Sequence, residues 1–124
     1  MELKVSQVIE GFNALTHLVE DKSQLPTKLS YAVARNIRIL QPEMKEFEAK
    51  QLEIFMELGK KSDDNPEQWV VGDNGKEITS KLNDVLSSNV DLPVHRVSLE
   101  DAGDTFPVDK MLALDWMFIE EGAE

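Results

Sequence analysis

The stretch 26–59, PTKLSYAVARNIRILQPEMKEFEAKQLEIFMELG, constrains this chain more than any other. Its apolar residues Val33, Ile37, Leu40, Met44, Phe47, Ile54 and Leu58 follow one another at alternating steps of 4 and 3, and Gln51 fills the one vacant seat. That spacing predicts a single helix of roughly 50 Å carrying a heptad seam, which an isolated helix leaves wet. The rest of the chain must cover the seam or leave it to a partner. Pro42 falls inside the stretch, removes one backbone hydrogen bond and crowds the carbonyl of Arg38, which predicts a kink. The alternative is two helices meeting at Pro42, but the seam keeps its phase across the proline, which favours one rod. Gly59, followed by Lys60 and Lys61, is the expected stop, with glycine in a left-handed cap.

The flanking segments are shorter. Residues 1–5 read as an extended lead-in, and Ser6 as the N-cap of a helix over 7–20. Its stripe is Val5, Ile9, Phe12 and Val19, widened by Val8 and Leu15. A brief connection to Pro26 predicts an antiparallel helical hairpin. The first helix, at about 21 Å, covers less than half of the second, so residues 44–58 need another cover. The polar segment 62–68 reads as a linker and 69–71 as a short strand. After the GDNG turn, Ile78, Leu82, Val85 and Leu86 fit a helix over 76–88 better than a return strand through Asn74 and Gly75. Val90, Leu92 and Val94, then Val97 and Leu99 in the opposite phase, predict an edge strand over 90–99, bulged near His95 and paired with 69–71. An acidic loop over 100–106, a last helix over 107–119 and an acidic tail complete the chain. The expectation is one α+β domain over 1–124, predominantly α. It has an N-terminal antiparallel hairpin containing one long kinked helix, a small two-stranded antiparallel sheet and two short helices.

Composition narrows the function classes. Residues 1–61 hold nine Lys/Arg and nine Asp/Glu, whereas 62–124 hold four and fifteen, so the net charge of −11 belongs to the second half. Direct nucleic-acid binding by that half is disfavoured, because neutralising phosphates needs a basic surface. A basic protein partner would be drawn to it, and acidity alone also keeps a small protein soluble. Arg35 and Arg38, with Lys28 and Lys45, form a basic flank on the long helix, expected to pair with the acidic half. No cysteine is present, which excludes disulfides, thiolate metal sites and thiol nucleophiles. The first residues, MELKVSQVIEGF, do not read as a signal peptide, and no apolar stretch has membrane-spanning length. The expected location is the cytoplasm, with no membrane partner.

Candidate chemical sites are thin. His17 and Glu20 lie one turn apart, but zinc needs three or four ligands and the other histidine, His95, is far along the chain. Glu100, Asp101 and Asp104 surround Gly103 without the spacing of a calcium loop. Gly72, Asn74 and Gly75 match no phosphate-binding fingerprint, and no nucleophile motif occurs. No cofactor and no catalytic residue is expected.

The order of pieces is similar to that of small, uncharacterised proteins of tailed bacteriophages. The resemblance rests on LVEDKSQLPTKLSYAVARNIRIL, EFEAKQLEIF and LPVHRVSLED followed by FPVDKMLALDWM. It implies an intracellular phage product that acts by binding, as an accessory virion or assembly factor or as an inhibitor of a host system, and it carries over no residue roles.

Three function classes follow, in this order: a self-associating accessory or assembly factor; an acidic inhibitor that occupies a basic surface of a host protein; and a metal-dependent enzyme using His17 or the 100–104 loop. The first places its contacts on the distal seam, at Phe47, Gln51, Ile54 and Leu58, and at Trp116 and Phe118 on the apolar end of the last helix, with a protein partner or a second copy of the chain on the other side.

Overall fold

A computed structural model describes residues 1–21, 24–65, 67–102 and 106–119. In chain order the elements are β1 (Glu2–Lys4), α1 (Val5–Glu20), α2 (Thr27–Leu58), β2 (Lys60–Lys61), β3 (Trp69–Val70), α3 (Gly75–Leu86), β4 (Asn89–Asp91), β5 (Val97–Ser98), α4 (Leu99–Ala102), α5 (Val108–Ala113), a 3-10 turn (Asp115–Met117) and β6 (Phe118–Ile119). The domain is α+β and predominantly α. Helix α2 runs unbroken through Pro42, so the reading as two helices is set aside.

The hairpin of α1 and α2 forms as its apolar spacing requires, but α1 is rotated from the expected stripe. It buries Val8, Gly11, Ala14, Leu15 and Leu18, while Val19 stays 57% exposed. The reason is size. Gly11 admits the indole of Trp116, and a Cβ there would lie 2.8 Å from the Trp116 Cζ2 atom. The helix starts two residues earlier than expected, with Lys4 rather than Ser6 at the cap and the Gln7 side chain accepting from the Lys4 N–H at 2.9 Å.

The distal seam is covered by this chain itself. Helix α3 lies against the far half of α2, burying Ile54 and Ile78 to 7% and 1% exposure. The Asn74 amide donates to the Leu58 carbonyl at 2.7 Å, satisfying one orphan at the helix end. Gly59 is extended (φ −87°, ψ −169°), not left-handed as expected. Space demands the glycine there, since a Cβ would sit 2.7 Å from the Val70 carbonyl oxygen.

Strand pairing also departs from expectation. Residues 69–70 pair with Lys60–Lys61, not with the 90–99 segment, and Asn89–Asp91 pairs antiparallel with Glu2–Lys4. A hairpin between near neighbours closes a shorter loop than a strand pair reaching across α3, and the entropy cost is smaller. β5 and β6 pair in parallel over two residues each. The predicted helix 107–119 ends at Ala113. A single helix could not turn Trp116, Met117 and Phe118 inward together, so the backbone changes to a 3-10 turn and then a strand, and all three enter the core. Arg96 fixes this ending, donating from Nε to the Trp116 carbonyl at 3.1 Å and from Nη2 to the Phe118 carbonyl at 3.3 Å. Gly103 and Asp104 of the candidate calcium loop, and the tail 120–124, lie outside the described residues.

Helix propensity alone would make Gly11→Ala stabilising by up to about 1 kcal/mol. The indole contact reverses the sign. The variant is expected to lose about 1–3 kcal/mol through overpacking, read as a lower urea midpoint with an unchanged slope.

Candidate interaction surface

Three of the six residues singled out as contacts are buried. Trp116 and Phe118 are 6% and 9% exposed, and Phe118 meets Phe106 edge-to-face with centroids 5.2 Å apart. Ile54 is buried, and Phe47, Gln51 and Leu58 are half-buried. Phe47 lines a hollow of about 100 Å³ with Val5, Val8, Val85 and Val90, where α1, α3 and β4 converge on it. The second cover that residues 44–58 were expected to need is supplied by α3, so the distal seam is not the contact surface it was expected to be.

The surface left open is on the other side of the same helix. Tyr31, Arg35, Arg38, Pro42, Lys45, Ala49, Leu52 and Met56 recur at steps of 4 and 3, and every one is exposed. They form a second heptad line on the back of α2. From Tyr31 to Met56 the line runs for about 38 Å of the helix. Tyr31, Leu52 and Met56 on this line are 60%, 50% and 58% exposed, as Val108 and Leu112 of α5 are at 75% and 80%. The sequence contains the spacing, but the arginines and lysine among these positions make the line read as a solvated flank.

The two ends of this line differ. Residues 27–42 hold Lys28, Arg35 and Arg38 and no acid; residues 43–58 hold five glutamates and two lysines. That order opposes the helix macrodipole, which favours acids in the first turn and bases in the last. Neither is present. The expected pairing of the basic flank with the acidic half is limited to Lys28 and Asp101, 3.9 Å apart and both partly exposed, a contact of small energetic weight. Among the described residues Arg35, Arg38 and Lys45 make no ion pair.

The basic end is held in shape from beneath. Asn36 is fully buried on the inner face of α2 and clamps the irregular segment 92–96. Its amide donates to the His95 carbonyl at 2.9 Å, and its Oδ1 accepts from the His95 N–H at 2.7 Å. The clamp sets the His95 ring edge-on to Tyr31, with centroids 6.0 Å apart. Arg35 lies 5.8 Å from the Tyr31 centroid and donates from Nε to His95 Nε2 at 3.3 Å. Beside this cluster, a groove of about 470 Å³ opens between the first turn of α2 and residues 95–98. Sequence reasoning missed Asn36 because a polar residue on a long helix reads as surface. Its only signal was its place beside Val33 and Leu40 on the seam side.

The candidate chemical sites do not assemble. His17 Nδ1 lies 3.5 Å from the Lys110 ammonium nitrogen, and no group of three or more His, Asp or Glu side chains placed to share a metal ion occurs among the described residues. No helix among them is long and apolar enough to cross a membrane.

Replacing Asn36 with Ala strands the N–H and carbonyl of His95 and is expected to cost about 2–4 kcal/mol. Hydrogen exchange should accelerate in residues 92–97 before the rest of the chain. Arg35→Ala, which removes only exposed contacts, should cost less than about 1 kcal/mol in the same measurement. No family model, curated protein or solved structure matches this chain.

Proposed function

We propose that this chain is a non-enzymatic protein–protein interaction protein, an accessory or assembly factor, and that its working surface is the outer face of α2. The observation that supports this most is the second heptad line, exposed from Tyr31 to Met56 on a helix whose other face is already covered. Tyr31, Leu52 and Met56 stand on this line at the spacing with which a helix meets a partner helix. In the setting implied by the sequence resemblance, the protein is a tailed-phage product working in the host cytoplasm. Its occupant is a protein or a second copy of the chain, not nucleic acid or membrane. Ile54, Trp116 and Phe118 are buried within the chain and Phe47, Gln51 and Leu58 half-buried, so the contacts are placed on the outer line instead.

The second reading, an acidic inhibitor of a host protein, draws on the excess of fifteen Asp/Glu over four Lys/Arg in residues 62–124. It differs in its salt response: a partner held by that half would be released steeply as ionic strength rises, whereas one seated on the apolar end of α2 would be retained.

A photo-crosslinking residue placed at Leu52 or Arg38 in the producing cell should yield protein adducts, of itself or of another protein. The same residue at Asn83, exposed on α3, should yield none. Adducts at neither α2 position, or equally at all three, would count against the reading.

A further inference from the structure

Taking the proposed interaction surface as given, we propose that its occupant is the same surface of a second copy, with the two α2 helices antiparallel. The spacing of the outer line is symmetric about a point between Glu43 and Met44. Two helices crossed there place Tyr31 opposite Met56 of the second copy, Arg35 opposite Leu52, Arg38 opposite Ala49 and Pro42 opposite Lys45. Each opposed pair occurs twice, as a twofold axis requires. The aromatic and apolar groups meet at the two ends. The arginine stems lie along Leu52 and Ala49 and carry their charged heads to the flanks, where Glu48 and Glu53 stand.

Charge decides the orientation. The cationic half of each helix, with Lys28, Arg35 and Arg38 and no acid, falls against the half of the other that holds five glutamates and two lysines. Parallel pairing would set Arg38 against Arg38 and Glu48 against Glu48, a repulsive arrangement. Antiparallel pairing also opposes the two macrodipoles. It accounts for a charge order that works against α2 when the helix stands alone, with no acid in its first turn and no base in its last. The charge order thus has a use in the pair that it lacks in the single chain. All eight positions of the line are exposed.

The test uses two charge-reversed chains. One carries Arg35→Glu with Arg38→Glu, so both halves of its outer face are acidic. The other carries Glu48→Lys with Glu53→Lys, so both halves are basic. All four positions are exposed, and circular dichroism checks that each variant keeps its helix content. Light scattering should find the unaltered chain dimeric at high concentration. Each variant alone should dimerise at least about tenfold more weakly, and an equimolar mixture should recover a heterodimer. As a check on orientation, Arg38→Cys and Ala49→Cys chains should join through a short bis-maleimide when mixed, with neither joining to itself; the engineered thiols are the only ones present. An unaltered chain that stays monomeric at millimolar concentration overturns the proposal, as do variants that associate alone as well as the original, or Arg38→Cys joining to itself. A monomer that still gives adducts with a different protein at Leu52 would overturn the second copy while leaving the interaction surface in place.

Discussion

Helix α2 must bury one face over its whole length, and the other elements are arranged to let it do so. The near half of the seam is covered chiefly by α1, with β5 and α4 also packed on α2, in one core with Trp116, Met117 and Phe118. The far half is covered by α3, through Ile54 and Ile78. A helix this long is stable chiefly through such tertiary cover, because its own propensity, with Pro42 inside, does not hold it. The short strand pairs are consequences of the same demand. They fasten the ends of the covering segments and are too small to be independent sheets.

Close approach between these elements is set by a few small or polar residues. Gly11 brings the Trp116 ring onto the backbone of α1, and Gly59 lets β3 pass against the end of α2. Asn36 ties an irregular segment to the middle of the hairpin with two hydrogen bonds of opposite sense. A buried polar group used this way specifies one position for its partner, because a slip of one residue would leave both His95 backbone groups unmet. The same clamp fixes where His95 stands beside Tyr31 and Arg35, so the architecture of the interior reaches the surface line at its basic end.

What could be read in the sequence was what repeats locally. The steps of 4 and 3 from Val33 to Leu58 announced α2, and Ile78, Leu82, Val85 and Leu86 announced α3. Which element covers which was not legible, because pairing of 60–61 with 69–70, or of 89–91 with 2–4, depends on loop closure and on where the helices already lie. The 107–119 segment was misread because its apolar density fits a helix in composition while its burial requires a change of backbone at Leu114. The outer line was legible in spacing and hidden in chemistry: Arg35, Arg38 and Lys45 made it look like a solvated flank. With α3 closing the inner face, the outer line is left with few contacts inside the monomer, chiefly those of Tyr31 and Arg35 with His95.

The central claim is that α2 is one rod, continuous through Pro42, with its two faces put to different uses. Spin labels on Ala34→Cys and Met56→Cys, both exposed and 22 residues apart, measure this directly in labelled chain diluted with unlabelled chain. A continuous helix predicts one narrow distance distribution centred at about 33 Å between backbone sites, allowing for the reach of the labels. A broad distribution, or one centred well below that value, would mean that the chain breaks at Pro42 and that no single face runs from Tyr31 to Met56.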